Sequence, residues 1–286
     1  MSPHKKISTV FDEITDARIK GYLEAFVDNT IEKYKSRKTI VPFSTEYLNQ
    51  TSTRGQLKPF HAAIIPPEIM RINAFERAFS TSLGTTFEEC ARLIAATNYR
   101  EAHRGYDISG DVSTAALNEI DRQVSQFEHA VERGGTRSSF EQMISSVLAA
   151  RKSPLEPLRV RVDLFFLAND DTEFYFELKS PQPNKGQCLE VTQRLLRIHL
   201  IRTSSPGHVK TYFAMAYNPY GYSRDTYRWS FARNYLPFDE IVLLGHEFWT
   251  IVGGRDESTH EKLVTLYHEV GRQKTKYILD SFIHDL

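Results

Sequence analysis

The sequence predicts an α/β fold in which a mixed β-sheet is flanked by helices, with extra helices at the N- and C-terminal ends. Three observations support this prediction. Apolar residues recur at helical spacing through the first 150 residues, strand-forming residues dominate 159–178, and helical and strand-like segments alternate afterwards. We expect a single domain over residues 1–286, with a helical extension and connector at 1–66, a core at 67–255 and a C-terminal helix at 256–286.

The composition is that of an ordinary globular protein. Of 286 residues, 41% are hydrophobic and 25% are charged, and the formal net charge is zero. This balance argues against a uniformly basic protein, although a local basic groove remains compatible with it. Two cysteines make no disulfide framework, and neither a signal-peptide pattern nor a membrane-spanning apolar run is present. We therefore expect a cytoplasmic protein that is not in a membrane.

The N-terminal half of the chain is predicted to be helical. Residues 10–35 carry an apolar helical face, and 36–66 form an irregular connector rich in proline. A second helix starts near Glu68, and a third runs from the capping-box pair Thr86 and Glu89 to about Thr97. Residues 98–112 are predicted to be a loop or a helix end because they are polar and contain two glycines. Two further helices follow, at about 117–131 and from Ser138, in capping-box spacing with Glu141, to about 151.

One carboxylate in this half is out of place. Glu76 falls inside the apolar stripe of the second helix, between Ile72 and Phe79. Burying an isolated charge is costly, so this position needs a partner. Pairing with a buried arginine or lysine is one explanation, and a functional role is the other.

From residue 159 onwards the pattern changes to strands. Val160 to Phe166 and Phe174 to Phe176 are two strand-forming runs around the turn at 169–171. A helix at 186–202, a strand at 209–217, a short strand at 241–244 and a long helix from Glu257 complete the prediction. No phosphate-binding loop, dinucleotide fingerprint or zinc-ligand spacing is present in the sequence.

The hairpin carries the most informative side chains. It places Asp163 opposite Glu177 or Lys179, and in either register strand periodicity keeps all three side chains on one face. Two carboxylates beside an ammonium group form a set that can hold Mg²⁺ and hydrolyse a phosphodiester. The lysine would orient the attacking water or stabilise developing negative charge. A cross-strand salt bridge with no catalytic role is the alternative.

Basic residues after the hairpin are candidate phosphate contacts. On and before the helix these are Lys185, Arg194 and Arg197, for which a solvated surface role is the alternative. In the later segment 218–233, Arg224 and Arg228 lie among aromatic residues. Arginine is suited to reading guanine, whereas the aromatic residues are also suited to core or dimer packing.

The hairpin residues resemble the PD-(D/E)XK nuclease superfamily. Asp163, Glu177 and Lys179 match its signature, while Val162 stands where the signature has proline. Three segments, which together indicate a resemblance over roughly 60–285, are similar to the TdeIII family of type II restriction endonucleases: FERAFSTSLGTTFEECARLIA at 75–95, FELKSPQPNKGQ at 176–187 and LLGHEFWTIVGG at 243–254.

This resemblance implies a PD-(D/E)XK restriction-endonuclease-like core. It further implies Mg²⁺-dependent, sequence-specific cutting of double-stranded DNA at a short palindromic, GGNCC-like site by a homodimer. A cognate DNA methyltransferase would be the genetic partner. Asp163 and Glu177 would bind the metal, and Glu76 would be a fourth catalytic member. The alternatives are a repair or structure-specific nuclease on the same core, and a catalytically inactive DNA-binding module.

Overall fold

A computed structural model describes residues 11–35, 49–51, 57–203 and 208–283. The chain divides into two compact units. The first contains residues 1–15 and 87–263, and the second contains residues 16–86 and 264–286. The organisation into one domain over the whole chain stays a prediction, and each unit is described by itself.

The first unit contains a mixed sheet of five strands in the order β1-β2-β3-β4-β5. The neighbours β1–β2 and β2–β3 are antiparallel, whereas β3–β4 and β4–β5 are parallel. The predicted α/β fold with a mixed sheet and flanking helices is therefore confirmed. The strands are β1 (Glu101–Ser113), β2 (Leu155–Leu167), β3 (Glu173–Leu178), β4 (Val209–Met215) and β5 (Val242–Leu244).

Helices cover one face of this sheet and enclose the main apolar core. Helix α6 connects β3 to β4, as a parallel crossover requires. Its start is set by a capping box, in which Asn184 and Gln187 bond reciprocally to each other's backbone. The helices that contribute buried residues to this core are α4 (Thr114–Arg133), α5 (Phe140–Ala149), α6 (Lys185–Ile201), α7 (Ser230–Tyr235) and α8 (Phe238–Ile241).

The opposite face of the sheet carries a layer of aromatic rings. Side chains alternate between faces along a strand, so Phe176 points away from its neighbours Tyr175 and Glu177. Its ring centroid lies 4.9 Å from that of Phe166 and 5.8 Å from that of Phe248 on helix α9 (His246–Val252). The central strands are therefore buried on both sides.

The second unit is helical. It contains α2 (Pro59–Ile64) and parts of α1 (Glu13–Lys35), α3 (Pro67–Ala95) and α10 (Thr259–Ile283). Ile19, Leu23, Val27 and Ile31 on α1 are buried, which confirms the predicted apolar face. Ion pairs between α1 and α10 join Lys20 to Glu269 at 2.6 Å and Asp28 to Lys274 at 2.8 Å. None of the helices within the described residues is long and apolar enough to cross a membrane.

Several predicted element boundaries are wrong. Residues 98–112 were expected to be a loop or helix end, but most of them form strand β1. The two helices expected on either side of Gly84 are one continuous helix, α3, in which a side chain at Gly84 would meet open space. The capping box of α5 is formed by Ser139 and Gln142, one residue later than expected. The predicted connector includes helix α2, and its residues 36–48 and 52–56 lie outside the described part of the chain.

His199 makes the stability of the fold depend on pH. It is buried on α6, with Nε2 3.1 Å from Oγ1 of Thr211. Burial, followed by repulsion from Lys210, lowers the pKa of His199 from 6.5 to about 4. As pH falls below 6.5 the unfolded chain takes up a proton at this residue, whereas the folded chain does not until about pH 4.

We therefore expect the free energy of unfolding to fall by up to about 3 kcal/mol from this residue as pH drops from 6.5 towards 4. Urea unfolding of the wild type and of His199→Gln, measured at pH 7 and at pH 4.5, checks this. The glutamine variant should lose less stability between the two pH values. Equal losses in both proteins would contradict this role of His199.

Candidate active site

The β2–β3 hairpin brings the three predicted side chains together. Its register pairs Leu164 with Phe176, so Asp163 lies opposite Glu177, the first of the two registers expected. The turn is closed by Asp170, whose carboxylate accepts from the backbone N–H of Thr172 at 3.1 Å. The side chains therefore meet at the carboxyl end of β3, at the edge of the sheet where the parallel strands β4 and β5 also end.

Lys179 lies between the two carboxylates. Its Nζ is 3.1 Å from Oε2 of Glu177 and 3.6 Å from Oδ2 of Asp163. Asp163 is held in place because its Oδ2 accepts from the backbone N–H of Leu178 at 2.7 Å. Lys179 in turn donates its backbone N–H to the carbonyl of Ala214 at 3.1 Å, which ties it to β4. Asp163 and Lys179 are thus tied to the backbone of the sheet.

Glu177 is the buried member of the cluster. Its side chain has no exposed surface, and among the described residues its Oε1 atom has no hydrogen-bond partner. Burial, followed by the charge of Asp163, raises the pKa of Glu177. Burial also acts to lower the pKa of Lys179, but attraction to Asp163 and Glu177 outweighs it and raises that pKa overall. A buried carboxylate oxygen without a partner destabilises the fold unless a cation binds it.

Arg194 also reaches this cluster, from helix α6. Its Nη1 donates to Oε2 of Glu177 at 2.9 Å, and its Nη2 donates to Oε1 of Glu190 at 2.7 Å. The sequence predicted a phosphate contact for this arginine. In the structure both terminal nitrogens are engaged with carboxylates, and one of these belongs to the predicted catalytic set.

Sequence reasoning missed Glu88. It lies on the part of α3 that belongs to the first unit, and its Oε2 accepts from Nε of Arg104 at 2.9 Å. Burial raises the pKa of Glu88, attraction to Arg104 opposes this, and the nearby charge of Asp163 raises it further. Glu88 is therefore close enough to the cluster to feel Asp163. A sequence signal was present, because apolar Ala91 and Ala95 stand at i+3 and i+7 from Glu88, on the same helix face, and both are buried in the structure.

Glu76, by contrast, does not lie in a buried stripe. Its side chain is exposed and accepts a hydrogen bond from Oγ of Ser80 at 2.6 Å, and the neighbouring Ile72 is 45% exposed. The expectation of a buried, misplaced carboxylate is therefore wrong. Glu76 belongs to the second unit, and its catalytic role stays a prediction.

The remaining predicted DNA contacts differ in their surroundings. Lys185 is paired with Glu128 at 2.5 Å and Glu132 at 2.6 Å. Arg224 makes two hydrogen bonds to Glu247, at 2.7 and 2.6 Å, and also donates to the carbonyl of Val242, so it braces α9 and β5. Arg197 is half-buried, and Arg228 is exposed. Of these four, Arg228 has the surroundings that a DNA contact requires.

The segment that follows β4 presents aromatic side chains beside the cluster. Tyr217 is 45% exposed and Tyr220 is 37% exposed. Further along this segment, Tyr227 donates its hydroxyl to the carbonyl of Pro181, and Trp229 donates its indole N–H to that of Pro183, both at 2.7 Å. Ala214 accepts a hydrogen bond from the backbone N–H of Lys179, and Tyr217 follows Ala214 by three residues. Tyr217 is therefore about 10 Å along the chain from the cluster.

The cluster is suited to Mg²⁺. Asp163 and Glu177 offer hard oxygen ligands, and the unpartnered Oε1 of Glu177 is an oxygen that a cation would satisfy. Within the ranges that the structure describes, no group of three or more His, Cys, Asp or Glu side chains is arranged to hold a metal. Mg²⁺ does not need such a cage, since it is commonly bound by one or two carboxylates together with water and substrate phosphate.

Comparisons with known proteins identify the relatives of this chain. The relatives are type II restriction enzymes. Three of them, all from Herpetosiphon aurantiacus, are each 42% identical to this chain. HgiEI and HgiBI align over 273 residues, 94% of this chain and 98% of theirs, and HgiCII aligns over 269 residues, 93% and 96%.

The class is therefore that of the site-specific deoxyribonucleases known as type II restriction endonucleases. Within this class, the model described as "Type II restriction endonuclease, HinfI" matches residues 19–271, and the chain belongs to the HinfI family. The predicted enzyme class is confirmed. The matching family model is that of HinfI, whereas the sequence motifs resemble the TdeIII family of the same enzyme class.

Proposed function

We propose that this restriction endonuclease cuts both strands of a short palindromic, GGNCC-like site in a Mg²⁺-dependent reaction and leaves 5′-phosphate ends. We further propose that it acts as a homodimer and that a cognate methyltransferase protects the host DNA. The observation that carries the proposal is the cluster of Asp163, Glu177 and Lys179, with its unpaired and buried Glu177 oxygen.

Each member of the cluster has a separate task in this proposal. Asp163 and Glu177 would hold Mg²⁺, and the bound ion would neutralise charge on the scissile phosphate and lower the pKa of a water molecule. Lys179 orients the attacking water and stabilises the negative charge that develops on the phosphate oxygens. Its position, 3.1 Å from Glu177 and 3.6 Å from Asp163, supports this task.

Glu88 is proposed as the additional acid of the site. It is half-buried on α3, and the charge of Asp163 affects its pKa. Its bond to Arg104 fixes the direction of the carboxylate. Glu88 is therefore suited to reach the metal through a bridging water.

The proposed DNA-contacting surface lies beside the cluster. It includes Arg228, Tyr217 and Tyr220, which are exposed on the segment that leaves the sheet next to Lys179. This segment begins roughly 10 Å along the chain from the cluster, and the major groove of DNA is about 12 Å wide. A duplex with one phosphate at the cluster would therefore also reach the segment. Arginine and tyrosine suit contacts with phosphates and base edges.

Digestion of a plasmid of known sequence tests the proposed function. We expect discrete fragments with Mg²⁺, uncut DNA with EDTA, and fragment ends that all map to one short palindrome and carry 5′-phosphate. A smear without common ends would instead support a repair or structure-specific nuclease. Binding of DNA with no cutting in either Mg²⁺ or Mn²⁺ would support an inactive DNA-binding module.

A further inference from the structure

We propose that Arg194 is a positioning residue that holds Glu177 in its metal-binding orientation and does not contact DNA. This inference rests on the proposed function, in which Glu177 is a metal ligand. It assigns to the crossover helix α6 a task in the chemistry of the site, in place of the phosphate contact that the sequence suggested for this arginine.

The first argument is the division of labour between the two oxygens of Glu177. Its Oε2 atom accepts from Arg194 at 2.9 Å and from Lys179 at 3.1 Å. Among the described residues its Oε1 atom has no partner, although the side chain is completely buried. The two cations therefore bind one oxygen and leave the other available for a metal ion.

The second argument is the rigidity of Arg194 itself. The guanidinium group is planar, so fixing two of its nitrogens fixes the whole group. Nη1 is held by Glu177, and Nη2 is held by Glu190 one helical turn away at 2.7 Å. Both terminal nitrogens donate to carboxylates, and 30% of the side chain is exposed. Arg194 is thus held as a brace across the helix–strand contact.

The chain offers a matched control for this brace. Arg202, just after the end of α6, also reaches β3, where its Nε lies 3.1 Å from Oε2 of Glu173 and 2.9 Å from the hydroxyl of Tyr175. Its side chain is 30% exposed, as that of Arg194 is. Both arginines join the same helix region to the same strand, but within the described residues Arg202 makes no hydrogen bond or ion pair with Asp163, Glu177 or Lys179.

The test compares Arg194→Gln with Arg202→Gln. Binding of Mn²⁺ to the protein without DNA is measured by calorimetry, and the Mg²⁺ concentration for half-maximal cleavage is measured separately. We expect Arg194→Gln to weaken Mn²⁺ binding and to raise the Mg²⁺ requirement by about 10- to 100-fold, the range seen when groups that orient metal ligands are removed. Arg202→Gln should change neither quantity.

DNA binding measured in EDTA distinguishes the positioning role of Arg194 from a phosphate contact. If Arg194 positions Glu177, its removal leaves the affinity for DNA without metal and its dependence on salt close to those of Arg202→Gln. If Arg194 contacts a phosphate, the affinity falls and the salt slope decreases by about one, while Mn²⁺ binding is unchanged. That result would overturn the proposal, as would Mn²⁺ binding equal to that of the wild type.

A conservative variant covers the case in which Arg194→Gln does not fold. Arg194→Lys keeps the charge but loses the planar guanidinium group. We therefore expect its affinity for Mn²⁺ to lie between that of the wild type and that of the glutamine variant. Wild-type Mn²⁺ binding by a folded lysine variant would show that charge alone is sufficient and overturn the positioning role. Because the Mn²⁺ readout needs no DNA, a wild-type protein that binds Mn²⁺ but cuts no DNA would refute the proposed function separately.

Discussion

Replacing Lys179 by alanine is expected to lower the rate of DNA cleavage by about 10³-fold, within the range for loss of a group that stabilises or protonates the transition state. Lys179 is the cation shared by Asp163 and Glu177, at 3.6 and 3.1 Å from their oxygens. No other lysine in the described residues forms an ion pair with either carboxylate. Single-turnover cleavage of a duplex that carries the recognition site measures this loss.

Binding separates this effect from a loss of structure. DNA affinity in Ca²⁺ should be retained by Lys179→Ala, since the proposed DNA-contacting surface lies on another segment. Lys210→Ala is the control, because Lys210 is an exposed lysine at the opposite end of the same sheet, where β4 pairs with Phe174. Cleavage by Lys179→Ala at the rate of this control would remove Lys179 from the mechanism.

Replacing Asp163 by asparagine is expected to reduce cleavage by at least about 10³-fold at ordinary Mg²⁺ concentrations, because one of the two proposed carboxylate ligands becomes neutral. The fold should be retained. An asparagine oxygen can still accept the hydrogen bond that Leu178 donates to Asp163 at 2.7 Å, and Glu177 is relieved of a repulsive neighbour. We therefore expect a thermal unfolding temperature equal to or above that of the wild type.

The matched change is Asp170→Asn, in the turn that joins the same two strands. Asp170 is exposed and bonds only locally, to Thr172. The Asp170→Asn substitution should leave cleavage unchanged, whereas Asp163→Asn should abolish measurable Mn²⁺ binding along with activity. If Asp163→Asn bound Mn²⁺ as the wild type does and still cut DNA slowly, its role would be electrostatic and not that of a ligand.

The hairpin was predictable because its information is local. A turn at 169–171 and a side-chain period of two are enough to place Asp163 on one face with Glu177 and Lys179, and the register shows that Asp163 lies opposite Glu177. Strand β1 was not predicted because its local pattern is misleading. Its apolar residues Tyr106, Ile108 and Val112 alternate, but Gly105 and Gly110 interrupt the pattern and suggest a loop.

The rest of the site depends on contacts between distant segments, which no local pattern records. Arg194 is 17 residues from Glu177, and only the crossing of α6 over β3 brings them to 2.9 Å. The capping-box spacing of Thr86 and Glu89 predicts a helix that begins at Thr86, with Glu89 in a capping role. That prediction gives no reason to single out the neighbouring Glu88. In the continuous helix α3, neither acid is a cap, and Glu88 is left on the side that faces Arg104.

The hydrogen bonds from Tyr227 and Trp229 to the carbonyls of Pro181 and Pro183 link two segments that leave adjacent strands. One of these segments begins directly after Lys179, and the other carries the exposed tyrosines. Both donors sit on large side chains that pack into the apolar core, and Tyr227 is fully buried. Local opening of a protein proceeds in cooperative units held by such contacts. We therefore expect the end of β3 that carries Lys179 and the tyrosine segment to open in one local unfolding transition, so that the lysine and the tyrosines become ordered together.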